Sequence, residues 1–166
     1  MKIASFALAA TALLAATSAL AATATPADKA FVVKVSQGGM FEVAAGKLAE
    51  TKGGTQDVRD FATAEVHDHM LVGAKLKAIS SSEGVTFAAT PNVAFAGKMA
   101  TLKGLSGAAF DEAYMSDMAA LHDADGAAFL KESTEGGSAA YRAFGAETHR
   151  IVQRHIGAIH GTQPPR

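Results

Sequence analysis

The chain has 166 residues, with 15 Lys and Arg against 16 Asp and Glu, and no cysteine. A net charge of −1 with no basic stripe excludes nucleic acid as a partner. The missing thiols exclude disulfides, zinc–thiolate sites, iron–sulfur clusters and attachment of lipid through an N-terminal cysteine.

Residues 1–22 read as a signal peptide and not as fold. Lys2 supplies a positive start, an apolar stretch runs from Ile3 to about Ala16, and Ala19-Leu20-Ala21 offers an A-x-A cleavage site before Ala22. The stretch is short for a bilayer-spanning helix, and no later segment reaches about 18 apolar residues. The expectation is an exported protein that is not integral to a membrane once the signal is removed; a retained N-terminal anchor is the alternative. A signal without cysteine points to a bacterial periplasm. Residues 23–166 carry 14 basic against 16 acidic residues. They make one domain, long enough to bury a core without staples. Their high alanine content favours helix and lets helices approach closely.

Four long helices are expected. The first runs from about Asp28, near its cap, to Lys52 and ends at Gly53-Gly54. The second runs from about Gln56 to Glu83, with Thr55 as N-cap and Gly84 as its stop. A link of Val85–Ser106 follows, containing Pro91 and a short helix from about Asn92 to Lys103. The third long helix runs from about Gly107 to Ser133, capped by Ser106 and stopped before Gly136-Gly137. The fourth runs from about Ser138 to His160, ended by Gly161 and then Pro164-Pro165. Tight turns make the first two and the last two helices antiparallel neighbours. The middle link is long enough to run the length of a bundle. The fold class is therefore all-α, a ferritin-like four-helix bundle with one long crossover. Plain up-down-up-down order with a decorated loop is the alternative.

Each helix carries an apolar stripe stepping by three and four. The first reads Phe31, Val35, Gly38, Glu42, Ala45, Ala49; the second Val58, Ala62, Glu65, His69, Val72, Leu76, Ile79. The third reads Asp111, Met115, Met118, His122, Asp125, Phe129, beside a competing stripe of Phe110, Tyr114, Asp117, Leu121 and Ala124. The fourth reads Tyr141, Phe144, Thr148, Ile151, His155, Ala158.

Glu42, His69, His122 and His155 each interrupt a stripe, one per helix, all within roughly one turn of the midplane. Glu65 lies one turn from His69 on the same face, so both side chains can reach one ion. Neutral imidazoles with one or two carboxylates form a shell that suits Zn, Fe, Mn or Cu(II). Thioethers from Met115 or Met118 would tilt it toward Cu(I), although these methionines and Met40 read first as core filler. The candidate metal ligands are thus Glu42, Glu65, His69, His122 and His155, with Asp68 a candidate outer acceptor. The competing reading of the same residues is a buried hydrogen-bond network that fixes helix register without metal. Iron–carboxylate bundles use Glu-x-x-His on two helices, and this chain has none. Glu65 to His69 is one residue too long, and the last helix offers Glu147-Thr148-His149 instead, so ferroxidase or oxygenase chemistry is not expected. His67, His149 and His160 read as solvent-facing, and Tyr114 and Tyr141 as packed with their hydroxyls on a polar neighbour. Gly38-Gly39 costs helix propensity and reads as a close helix approach before a cofactor pocket.

Gly38-Gly39-Met40-Phe41-Glu42-Val43, then Asp68-His69, then Phe110-Asp111 with Tyr114, Met118 and His122, and finally His155-Ile156 share an order and spacing. In these the chain resembles the bacterial envelope proteins grouped as domain of unknown function 4142, often labelled predicted outer membrane proteins. The match covers about Asp28 to His160. The resemblance implies a ferritin-like bundle exported to the periplasm, peripheral to the outer membrane, and brings no activity with it. One departure is Arg150, near which the family often has a proline, and it bears on the start and straightness of the last helix. The leading expectation is an exported bundle holding a divalent metal. The alternative is a non-enzymatic structural or stress-related module with an envelope protein as partner. No nucleophile elbow, phosphate loop or dinucleotide fingerprint supports an enzyme of another class.

Overall fold

The α1 helix is fixed at its first turn by a reciprocal cap. Thr25 Oγ1 accepts from Asp28 N, Asp28 Oδ2 accepts from Thr25 N (2.6 Å), and Pro26 occupies the first turn. The computed structural model describes residues 23–161; the expected signal peptide and Pro164-Pro165 lie outside the described residues. Those residues form α1 Pro26–Lys52, α2 Gln56–Ser82, α3 Val93–Gly104, α4 Gly107–Glu135 and α5 Ala139–Ile159, with no strand among them. Thr55, Asn92 and Ser138 cap α2, α3 and α5 through their side chains. Ser106 stands at the N-cap of α4, but its hydroxyl makes no capping bond. The α5 helix runs through Arg150 without a break, as expected where no proline removes a backbone N–H.

Polar ties at the bundle ends establish the order of the helices. Asp28 Oδ1 accepts from Gly137 N in the α4–α5 turn (2.9 Å), and Asp111 accepts from Gly54 N and Thr55 N in the α1–α2 turn. So α1 runs antiparallel beside α4. Ser138 Oγ donates to Glu83 and Lys75 pairs with Glu147, so α2 runs antiparallel beside α5. The end of α2 and the start of α4 therefore lie at opposite ends, and the link between them must travel the whole bundle. This is the single-crossover order. Within the link, α3 packs on α1: Phe95 stacks on Phe41 (centroids 5.1 Å) and Leu102 is fully buried.

The buried face of α4 combines the two stripes that compete in its sequence. It runs Phe110, Tyr114, Met118, His122, Asp125, Phe129, Glu132, whereas Asp111 and Met115 are half-buried. Steps of four drift around the axis. Near its start α4 meets the crossover helix as well as α1, which rotates the buried face. In α5, Val152 is buried, Ile151 half-buried and Ala158 exposed. His149 is half-buried and donates to Gly126 O (3.0 Å).

The apolar core divides in two. Phe31, Val32, Leu76, Phe129, Tyr141, Phe144 and Val152 fill the end where α1 begins. Phe41, Ala45, Val58, Leu102, Phe110, Tyr114 and Met118 fill the other. On α2, α4 and α5 the residues Glu65, His69, His122 and His155 lie where these two clusters meet, and on α1 Glu42 lies at the near edge of the second, next to Phe41.

Small residues bring α4 and α5 together. A Cβ on Gly145 would stand 2.8 Å from Phe129 O and from Ser133 N, both backbone. We predict that Gly145→Ala destabilises the fold by about 2 kcal/mol, read from denaturant unfolding, because backbone cannot yield as a side-chain tip can. A second prediction concerns the Asp28 tie. Burial pushes the Glu132 carboxyl up to about 7, and its hydrogen bond to Asp28 pushes the same way. Burial also pushes Asp28 up, but the Thr25 and Gly137 N–H groups and Glu132 hold it below its ordinary value. A carboxyl raised in the folded state holds its proton more tightly there, so its stabilisation is present at low pH and is lost as pH rises through about 7. Thermal unfolding against pH should show that loss in the wild type and not in Glu132→Gln.

Candidate metal centre

Three imidazoles surround one carboxylate in the layer between the two apolar clusters. Glu65 and His69 sit four residues apart on α2 and so share a face; His122 enters from α4 and His155 from α5. Glu65 is wholly buried, and His69, His122 and His155 nearly so. His69 Nε2 lies 3.2 Å from Glu65 Oε2. His122 Nε2 lies 3.1 Å and His155 Nδ1 2.7 Å from Glu65 Oε1. His122 Nε2 and His155 Nδ1 are 3.1 Å apart. One donor atom from each of these four residues lies within 4.8 Å of all the others.

The outer nitrogens determine what the inner ones can do. His122 Nδ1 donates to Met118 O (2.8 Å), His155 Nε2 to Asp68 Oδ2 (3.0 Å) and His69 Nδ1 to Glu42 Oε2 (3.0 Å). Each outer nitrogen thus has an acceptor that can hold its proton, while the inner nitrogens converge on Glu65, His122 Nε2 and His155 Nδ1 sharing a hydrogen bond. Three imidazole nitrogens and a carboxylate converge. Apart from the His122–His155 bond, their contacts lack hydrogen-bonding alignment: both oxygens of Glu65 and Nε2 of His69 have no hydrogen-bond partner. The unaligned Glu65 oxygens and His69 Nε2 have the geometry of groups that aim at a shared centre. Four donors about 2.0 Å from a common ion are about 3.3 Å apart along each edge; the four contacts above run from 2.7 to 3.2 Å, and one donor atom from each residue lies within 4.8 Å of the others.

The local charge favours a cation. Burial pushes the Glu42 and Glu65 carboxyls up, but His69 overrides this at Glu42 and the three imidazoles override it at Glu65, so both are held below the ordinary carboxylate range. Burial pushes His69 and His122 down, but Glu42 and Glu65 raise both above the ordinary histidine value, His69 well above. Asp125 is pushed up to about 6 by burial and by the Glu42 charge, against the pull of Lys34 at 3.6 Å. In the absence of another cation, the carboxylates draw protons onto the rings.

All five residues expected at the site, Glu42, Glu65, His69, His122 and His155, lie in this layer. Glu42 stands on the outer side of His69, 3.7 Å from His122 Nδ1, and Glu65 takes the central place. Asp68 serves His155 across the α2–α5 interface and not its neighbour His69, because adjacent residues diverge by about 100° around a helix. Met115 and Met118 belong to the apolar cluster beside the layer. Glu147 pairs with Lys75 and His149 with Gly126 O, so neither joins the centre. The Tyr141 hydroxyl donates to Ser80 Oγ, whereas the buried Tyr114 hydroxyl has no partner. Asp125, which a one-helix reading makes only a stripe residue, faces the layer from α4.

A family model described as domain of unknown function (DUF4142) matches residues 13–161. No curated protein and no solved structure matches the chain.

If Glu65 is the anion that raises the rings, Glu65→Gln should lower the pKa of both His69 and His122 in metal-free protein. Imidazole nitrogen shifts followed through a pH titration test this; unchanged midpoints would deny Glu65 the central role.

Proposed function

The chain belongs to the DUF4142 family, and on that premise we propose that it is an exported helical bundle that holds one divalent transition-metal ion through Glu65, His69, His122 and His155. The observation that supports this most directly is the convergence of three imidazoles on Glu65, each with its far nitrogen on an outer acceptor. Metal-bound histidines are oriented in this way, by a carboxylate or carbonyl on the far nitrogen. Three nitrogens and one oxygen are the complement of a tetrahedral zinc site, with Cu(II), Fe and Mn as the other ions the donor types accept. Four protein donors fill such a shell, so the reading is metal holding and not hydrolysis. Lys2, the Ile3–Ala16 apolar run and Ala19-Leu20-Ala21 support delivery to the periplasm. No described helix is long and apolar enough to cross a membrane.

A register-fixing network without metal is the competing reading, favoured by the raised proton affinity of His69 and His122. Elemental analysis of protein purified without an affinity tag separates the two. The metal reading expects a single ion per chain, its loss in a His122→Ala/His155→Ala double variant, and a thermal shift on metal addition that the variant lacks. Glu42→Gln and Asp68→Asn, which touch only the outer nitrogens, should weaken affinity about 10- to 100-fold. Metal-free protein with no thermal response to Zn, Fe, Mn or Cu would leave only the network. Fractionation with N-terminal sequencing tests the export; a protein retained in the cytoplasm with residue 1–22 intact would refute it.

A further inference from the structure

A cavity of about 280 Å³ lies beside the centre, between α1, α2 and the start of the crossover. Its depth is walled by Val35, Leu76 and Phe129 together with Glu42, His69 and Asp125, all buried. Its outer wall is made by Phe87 of the crossover and by Met70, which is 54% exposed. From these walls we infer that the cavity binds a small apolar molecule carrying a protonated amine, its ring or branched body among the apolar walls and its ammonium at Glu42.

Two glycines leave the space unfilled. Gly39 on α1 and Gly73 on α2 both line the cavity, and a Cβ on either would meet nothing within 4 Å. Each sits inside a long helix, where glycine costs about 1 kcal/mol relative to alanine. No neighbour requires their smallness, in contrast to Gly145. What a side chain at either would take up is cavity volume. Gly39 therefore does not serve the close approach expected of the Gly38-Gly39 pair, and at Gly38 a Cβ would meet only the Asp125 carboxylate, at a van der Waals distance of 3.4 Å.

The head group follows from the hydrogen-bonding capacity left at the inner end. Glu42 Oε1 is buried and accepts no hydrogen bond, His122 Nδ1 standing 3.7 Å away and donating to Met118 O instead. Asp125 is partly answered by Lys34, and the Ser36 hydroxyl is already used, donating to Val33 O and accepting from Ala88 N. The vacant capacity is an acceptor on an anion, which an ammonium satisfies best. Of the basic lining residues, Lys77 stands at the exposed rim and His69 is committed to Glu42 Oε2, which leaves Oε1 free for the head group. The volume fits the body: an apolar cavity of about 150 Å³ holds benzene, so there is room here for a ring and a short arm. The site does not depend on a bound metal, since Glu42 meets His69 at Nδ1, away from Glu65.

The test is a calorimetric and amide-NMR titration of zinc-loaded and metal-free protein with 2-phenylethylamine, ethylbenzene and 3-phenylpropionate, metal content being measured on each sample. The amine should bind saturably, shift the Gly39 and Gly73 amides, and bind about tenfold or more tightly than the neutral and anionic probes. Gly73→Leu and Gly39→Val, which fill the cavity without touching a metal donor, should lose that binding by about tenfold or more while keeping the wild-type metal content. Glu42→Gln should erase the preference for the amine, and Asp125→Asn should leave most of it. Absence of saturable amine binding to wild type, equal binding of the three probes, or unchanged binding in the filled variants would overturn the inference. Amine binding by protein that takes up no metal would uphold it while the metal reading fell.

Discussion

A carboxylate fully withdrawn from water, with three imidazoles turned toward it, is the constraint on which this bundle rests. Burying an ionised group without a compensating charge costs far more than any single packing contact returns. Glu65 is therefore tolerable only where positive charge is shared among His69, His122 and His155, as protons or as a metal ion. Three helices must deliver those rings to one level, and α1 must supply Glu42 at the same level to hold His69. Helix length, turn position and register all follow from that requirement.

The chain meets it with two hairpins and one long return. Because α2 ends where α1 began, a short connection to α4 would have reversed α4 and brought a different face of it past α1. The crossover lets α4 start beside the α1–α2 turn, where Asp111 fastens it, and α5 finish beside the same turn. Asp28 does the corresponding work at the other end. These end ties set the axial level of each helix, and the outer acceptors Met118 O, Asp68 and Glu42 set the rotation of each ring. Axial placement is thus carried by backbone-to-carboxylate bonds far from the centre, and angular placement by bonds next to it.

Much of this was legible in one dimension. The caps and stops placed the four long helices and the short crossover helix to within a few residues, because glycine, proline and capping side chains act locally. Glu42, His69, His122 and His155 stood out because a polar residue in an apolar stripe breaks a periodicity that sequence displays. What stayed hidden depends on other helices. Whether Glu42 or Glu65 is central depends on where α4 and α5 direct their rings, which no stripe on α1 or α2 encodes. The pairing of Asp68 with His155 spans 87 residues of chain. The face of α4 was ambiguous because the crossover helix is a second packing partner over only part of its length. Gly39 and Gly73 could not be told from close-packing glycines, since a void is defined by what neighbours fail to fill.

The division of the core has a consequence for how the protein comes apart. Each apolar cluster draws side chains from both hairpins, so the boundary between them cuts across the bundle and not along it. The natural subunits of local opening are then the two ends of the cylinder, each four helices thick, and not the two helix pairs. The polar layer is the joint through which one end senses the other. Its ionic occupancy sets how far fraying at either end can travel, and with it whether the bundle melts as one cooperative unit or as two.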